Sequence, residues 1–124
     1  MSPTILVADD EPNIVISLEY LLKREGYSVL IARDGQEALD AIRRDRPELV
    51  LLDVMMPKKT GFEVCQEVRS DEQLQAIKIL MLTAKGRDTD VAKGLALGAD
   101  AYMTKPFATR ELVEKVAAML SLWQ

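Results

Sequence analysis

Leu49-Val50-Leu51-Leu52-Asp53 is the stretch whose reading decides the fold. Four apolar residues in a row, without polar alternation and halted by a carboxylate, describe a short strand buried on both faces. Strands of that kind belong to parallel sheets covered by helices. Upstream, Ile5-Leu6-Val7-Ala8 has the same character and stops at Asp9-Asp10-Glu11-Pro12, and Tyr27 to Ala32 forms a second run. Downstream, Ile77 to Leu82 ends at Thr83, and Ala101-Tyr102-Met103-Thr104 leads into Lys105-Pro106-Phe107. Helix-period segments fill the intervals. Ile14, Leu18, Leu21 and Leu22 repeat until Gly26, a helix stop. Ala38, Leu39 and Ile42 repeat within Gly35–Asp45, ahead of Pro47. Phe62, Cys65 and Val68 share a side after the turn-rich stretch from Pro57 to Gly61. A fourth helix from Arg87 to Leu97 is weakened by Gly94 and ended by Gly98, and a fifth runs from about Thr109 to Leu122 through Leu112, Val116 and Leu120. Five strand–helix pairs without linker or repeat predict one α/β domain, a (βα)5 open parallel sheet with helices on both faces. The pattern leaves strand order open.

Composition narrows the chemistry. A chain of 124 residues holds one domain. Its net charge of −4 argues against sequence-independent nucleic-acid binding, which needs clustered cations. One cysteine and no histidine exclude an intramolecular disulfide, Cys- or His-based zinc sites and histidine bases. No apolar run approaches the ~20 residues of a membrane span, and Met1-Ser2-Pro3-Thr4 is not a signal peptide. The expectation is a soluble, cytoplasmic domain, without membrane or nucleic-acid partners, that works through carboxylates, hydroxyls, lysines and backbone.

Open α/β sheets gather functional residues at the carboxyl ends of their strands. Here those ends carry Asp9-Asp10, Asp53, Thr83 and Thr104-Lys105, whereas the second strand ends in Arg33-Asp34-Gly35, which reads as an ordinary turn. If the first and third strands are neighbours, three carboxylates converge. Two carboxylates ~5 Å apart repel by about 3 kcal/mol at an effective dielectric of 20. Three such pairs oppose folding by an amount comparable to a domain's net stability of ~5–15 kcal/mol. Lys105 supplies one balancing charge, and a divalent ion supplies the rest. Oxygen ligands without His or Cys favour Mg2+ or Mn2+. Such a metal keeps waters that a phosphoryl oxygen can replace, and an aspartate beside it can act as nucleophile to form an acyl phosphate. Metal, ammonium and hydroxyl then share the charge of the equatorial oxygens.

Taken together, Asp9-Asp10, Leu51-Leu52-Asp53-Val54-Met55-Met56-Pro57, Gly61, Thr83-Ala84 and Thr104-Lys105-Pro106-Phe107 resemble the receiver domain of two-component response regulators. The resemblance covers residues 1–124, with a core from about Thr4 to Leu120. It implies the flavodoxin-like strand order 2-1-3-4-5, shared with chemotaxis receivers, which makes the first and third strands neighbours. It implies Asp53 as phosphoacceptor, taking phosphate from a phosphohistidine on a histidine kinase or phosphotransfer protein. Asp10 and Asp53, the backbone carbonyl of Met55, and Asp9 through water are implied Mg2+ ligands. Thr83 is implied to bond the phosphoryl group and Lys105 to pair with it, with a cis Lys105–Pro106 peptide. Tyr102 occupies the aromatic switch position, its ring turning inward when Thr83 moves. The face of the fourth helix, fifth strand and fifth helix is the implied output surface for a downstream protein. Ala101 and Ala118 stand there where the transcription-factor branch prefers charges for dimer pairing, while Arg87, Glu111 and Lys115 remain available for it. Such a domain is a phosphorylated signalling module and not an enzyme, either standing alone or cut from a longer regulator.

Singly, each residue has a plainer explanation. Asp9 or Asp10 could cap the first helix, with Pro12 in its first turn. Asp53 could satisfy loop donors, Thr83 could simply suit a strand end, Lys105 could be solvated, and Tyr102 could be packing. Met55, Met56, Met81, Met103 and Met119 read as gap fillers and Cys65 as a small hydrophobe. Joint placement at strand ends is what favours function. Bulky Met55 and cationic Lys85 beside the acceptor predict a long-lived acyl phosphate. Two rivals stand beside the receiver. An Mg2+-dependent phosphatase with an aspartyl nucleophile would need a second acid two residues after Asp53, where Met55 sits, and a scaffold that is never phosphorylated has no use for the acidic set.

Overall fold

The strand Leu49–Asp53 (β3) is buried along its entire length and sits at the centre of the sheet. The structure, a computed structural model, describes residues 2–84 and 86–121. Before β3 come β1 (Thr4–Ala8), α1 (Pro12–Arg24), β2 (Ser28–Ala32) and α2 (Gly35–Asp45). After it come α3 (Gly61–Ser70), β4 (Lys78–Ala84), α4 (Asp88–Ala96), β5 (Ala101–Lys105) and α5 (Thr109–Ser121). Leu122 and Lys85 lie outside the described residues. The five strands are parallel and ordered β2-β1-β3-β4-β5, so β1 and β3 are adjacent as the carboxylate cluster requires.

Period-two alternation divides the core between the two sheet faces. Val50 and Leu52 of β3 pack with Leu6, Ile79 and Met81 against Leu39 and Ile42 of α2 and Val64, Cys65 and Val68 of α3. Leu49 and Leu51 pack with Ile5, Val7, Leu80, Leu82 and Met103 against Leu18 and Leu22 of α1 and Leu112 and Val116 of α5. By the same parity Asp9, Asp53 and Lys105 continue the rows of Val7, Leu51 and Met103, so all three leave their strands toward the α1/α5 side. The register pairs Ala8 with Leu52, Asp53 with Leu82, Thr83 with Thr104 and Ala84 with Lys105, so these strand ends lie level.

Local chemistry sets the helix starts. Thr60 and Glu63 form a reciprocal capping box on α3, with Glu63 N donating to Thr60 Oγ1 at 3.2 Å and Thr60 N to Glu63 Oε1 at 3.0 Å. Asp34 is more than a turn residue: its Oδ1 accepts from Glu37 N at 2.7 Å and caps α2. Neither Asp9 nor Asp10 caps α1. Glu11 holds that position without a side-chain bond, and Pro12 opens the helix. A 3-10 turn at Glu72–Leu74, which no periodicity announces, is started by Asp71 and buries Leu74. The helix α4 runs unbroken through Gly94, whose missing side chain lets it lie on β4: a Cβ there would stand 3.3 Å from Met81 Cε.

Gly61 is the tighter constraint. A Cβ at this position would lie 2.4 Å from the backbone oxygen of Asp53, and Gly61 N donates to Val54 O at 2.9 Å. The α3 start is thus pinned to the residue after the acidic strand end, and backbone cannot yield as a flexible side chain can. Gly61→Ala is expected to lower unfolding free energy by about 1–3 kcal/mol, the usual range for forced overpacking. Urea denaturation measures it; an unchanged midpoint would show that the approach is not tight in solution.

Candidate functional site

The acidic site forms because β1 and β3 end side by side. Asp9 is fully buried, Asp53 is 6% exposed and Asp10 is exposed. One carboxylate oxygen from each lies within 4.8 Å of the others. Lys105 reaches them from the end of β5, across the intervening β4. Its Nζ donates to Asp9 Oδ2 at 2.8 Å and to Glu11 Oε1 at 3.3 Å, and stands 3.3 Å from Asp53 Oδ1. The other oxygen of Asp9, Oδ1, accepts from Glu11 N at 2.9 Å. Both oxygens of Asp9 are therefore engaged by the protein, while Asp10 faces the open cavity. The Lys105–Pro106 peptide is cis.

The electrostatics follow from burial and crowding. Burial, joined by the neighbouring Asp9 charge, pushes the Asp53 carboxyl up to about 6, against the opposing pull of Lys105 and a backbone hydrogen bond at Met55. Burial also works against the Lys105 ammonium. The hydrogen bond to Asp9 and the charges of Asp53 and Asp9 outweigh it and hold Lys105 above the ordinary lysine value. Thr83 is buried, and its Oγ1 finds no hydrogen-bond partner among the described residues. A hydroxyl left that way costs roughly 1–3 kcal/mol.

A cavity of about 640 Å3 opens over this cluster. Its lining includes Asp10, Glu11, Asp53, Met55, Lys105 and Pro106, together with Ala84, Arg87 and Asp90. Met55 does not fill a gap. It is 68% exposed on the cavity rim, while Met56, Met81, Met103 and Met119 are buried as expected. Cys65 is buried, as a small hydrophobe should be, and burial raises its thiol pKa. Lys85, read as a cation near the acceptor, lies outside the described residues. Tyr102 does not join the cluster. It is 44% exposed and lines a separate groove with Glu111, Lys115 and Ala118.

Three participants escape the sequence reading. Glu11 was part of an acidic run but not recognised as a partner of Lys105. Arg87 was read as a charge on the output face, and Asp90 was not singled out, yet both line the cavity and pair with each other at 2.9 Å. Their i,i+3 spacing was a usable signal of the pair, though not of its place.

The response regulator receiver domain family matches residues 5–117. This chain belongs to that family. It is 51% identical over 120 residues to the alkaline phosphatase synthesis transcriptional regulatory protein PhoP of Bacillus subtilis. That match takes in 97% of this chain and 49% of PhoP, so the chain spans about half the length of this curated relative. Among solved structures, the chemotaxis response regulator CheY4 of Vibrio cholerae superposes with a TM-score of 0.90 at 33% identity, covering 96% of this chain and 99% of CheY4. The receiver domain of sensor histidine kinase PA1611 from Pseudomonas aeruginosa gives a TM-score of 0.89 at 28% identity over 98% of this chain and 99% of that one. That structure carries a magnesium ion coordinated in its active-site cleft. As a receiver domain the chain is a two-component signalling module with the CheY-like fold. No helix among its described residues is long and apolar enough to cross a membrane.

The raised Asp53 value fixes the sign of a pH effect. Between the ordinary aspartate value of 3.8 and about 6, the folded receiver holds a proton that the unfolded chain has released. Stability therefore falls as pH rises through that window and stays lower above it. Asp53→Asn removes the titrating charge. In chelator at pH 7.5 it is expected to raise stability by roughly 1–3 kcal/mol, or the melting temperature by roughly 3–10 °C. Melts from pH 4 to 8 should also show a flatter dependence in the variant. A wild type no less stable than the variant at pH 7.5 would remove the evidence for crowding.

Proposed function

We propose that Asp53 accepts a phosphoryl group from a phosphohistidine of a histidine kinase or phosphotransfer protein, and that phosphorylation alters the α4-β5-α5 face for a downstream protein. The working unit is a receiver spanning residues 4–120, acting in the cytoplasm. The observation that carries this reading is the buried Asp53 carboxylate, held against Asp9 and Lys105 at the floor of a cavity. An acid serving only to satisfy loop donors has no need of such a neighbourhood.

The donor set fits a hard divalent ion. It is all oxygen, it crowds three carboxylates, and the burial and the Asp9 charge that raise Asp53 are what a cation would offset. Asp10, Asp53 and the Met55 carbonyl are the proposed ligands of Mg2+ or Mn2+. Asp9, whose oxygens are taken by Lys105 and Glu11 N, acts through water. Bound there, the ion supplies positive charge to the phosphoryl oxygens.

The chain's own residues do the rest. An oxygen of ionised Asp53 attacks phosphorus in line with the departing imidazole nitrogen. The phosphorus–nitrogen bond breaks with its electron pair leaving on the histidine, and Asp53 becomes an acyl phosphate. Thr83 Oγ1, buried and without a partner among the described residues, is the proposed donor to a phosphoryl oxygen. Lys105 can follow the new negative charge because it already spans Asp9 and Asp53. Turning of Tyr102 from its outward position is the proposed readout at β5.

Incubation with a small phosphoryl donor and Mg2+, followed by intact-mass measurement, tests the function. One phosphoryl adduct per chain, absent in Asp53→Asn, is expected. Catalytic release of phosphate without accumulation would indicate a phosphatase, and no adduct under any donor would indicate a scaffold.

The exposed thioether of Met55 at the rim obstructs the approach of water to the acyl phosphate. Met55→Asn, which replaces it with a smaller polar group, is expected to hasten dephosphorylation by roughly 3- to 10-fold, equivalent to about 1 kcal/mol of barrier. Decay of the phosphorylated mass, followed side by side with wild type, decides it. Equal lifetimes would remove Met55 as the shield.

A further inference from the structure

The cavity over Asp53 has a second cation in its lining. Arg87, at the start of α4, lines it together with Asp53 and Lys105, and these are the cations among its described lining residues. Arg87 is not committed to the acidic cluster. Its Nε donates to Asp90 Oδ2 at 2.9 Å and its Nη2 to Asp90 Oδ1 at 3.3 Å, while more than half of its side chain is exposed. Only the Arg87 end of this i,i+3 pair is exposed; the Asp90 side chain is 14% exposed, so Arg87 leaves it only for a partner that binds a guanidinium more strongly than a carboxylate does.

Charge arithmetic gives Arg87 a purpose. Asp9, Asp10, Glu11 and Asp53 gather around the ammonium of Lys105, and even a divalent ion would leave that set one negative charge in excess. Phosphorylation replaces the single negative charge of Asp53 with nearly two. The excess then grows by about one more charge inside a partly desolvated cavity. Lys105 is already shared among Asp9, Asp53 and Glu11. A guanidinium suits the task, because its planar donors match phosphoryl oxygens and the doubled charge of the phosphoryl group strengthens such bonds.

We propose that Arg87 is a phosphoryl-binding residue held in reserve by Asp90: it leaves Asp90 and takes a phosphoryl oxygen once Asp53 is modified. This rests on Asp53 being the phosphoacceptor and adds a named ligand from α4. Exchange of the Arg87 partner would then carry the chemical state of Asp53 directly into the first turn of α4.

The two side chains should act in opposite directions. The probe is beryllofluoride with Mg2+, a phosphoryl mimic, titrated against wild type, Arg87→Gln, Asp90→Asn and the double variant. Backbone amide resonances near Asp53 report half-saturation. Arg87→Gln is expected to weaken binding about 3- to 10-fold. Asp90→Asn, which frees Arg87, is expected to tighten it about 2- to 3-fold, and the double variant should match Arg87→Gln. In wild type the Arg87 Nε–H resonance should shift on saturation.

A purely structural pair predicts otherwise, with both single variants moving together or not at all. Arg87→Gln within twofold of wild type, or Asp90→Asn failing to tighten binding, would overturn the proposal. Failure of wild type itself to bind the mimic would strike at the phosphoacceptor reading instead, which the Asp53-dependent mass adduct tests separately.

Discussion

The ammonium of Lys105 is the group on which the acidic end of this sheet depends. It comes from β5, two strand positions from β3, yet it reaches Asp9 at 2.8 Å and stands 3.3 Å from Asp53. Asp9 is fully buried, and a buried carboxylate stripped of its partner is among the most costly single defects a small domain can carry. The same interaction does not fully satisfy Asp53, whose carboxyl stays raised to about 6 despite the lysine. Lys105 thus makes the cluster tolerable without making it comfortable. Burial and the neighbouring Asp9 charge leave Asp53 in a setting that a cation would relieve.

Such a cluster persists only on a rigid base. Here the base is β3, buried from Leu49 to Asp53 and covered on one face by α1 and α5 and on the other by α2 and α3. Parity along the strands sends Asp9, Asp53 and Lys105 to the same side, so no loop has to fold back to assemble them. Gly61 and the Thr60–Glu63 capping box then anchor the segment after Asp53, which fixes the part of the backbone that carries Met55.

Much of this was legible in the residues. Unalternated apolar runs marked buried parallel strands, and the polar residue that ended each run marked the working end of the sheet. Strand order was not legible from the pattern, because short buried strands of similar composition pair equally well in several orders. It followed from the family resemblance, and the register confirms it. The division of labour inside Asp9-Asp10-Glu11 was also hidden. Which of three consecutive acids turns inward depends on where β1 releases the chain, and Glu11 reaches Lys105 only because Pro12 starts α1 directly after it. Arg87 was mislaid for a similar reason, since its place on the cavity wall is set by the path after β4 and not by its own helix spacing. Gly94, read as a weakness in α4, instead permits that helix to lie against Met81.

The packing of α4 bears on how a charge at Asp53 can be felt at a distance. A modification shifts an equilibrium only as far as it interacts differently with the two states. Resistance to that shift is lowest where least apolar surface is buried. Among the described residues of α4, Gly94 is the one that is buried, whereas α5 inserts Leu112, Val116, Met119 and Leu120 into the core. The helix nearest the cavity wall is therefore also the one most lightly held. It adjoins β5, whose Tyr102 already stands outward beside a groove. Thr83, at the end of β4, is in register with Thr104, two residues beyond Tyr102. A small displacement at the strand ends has, by this route, a short path to the surface that the core opposes least.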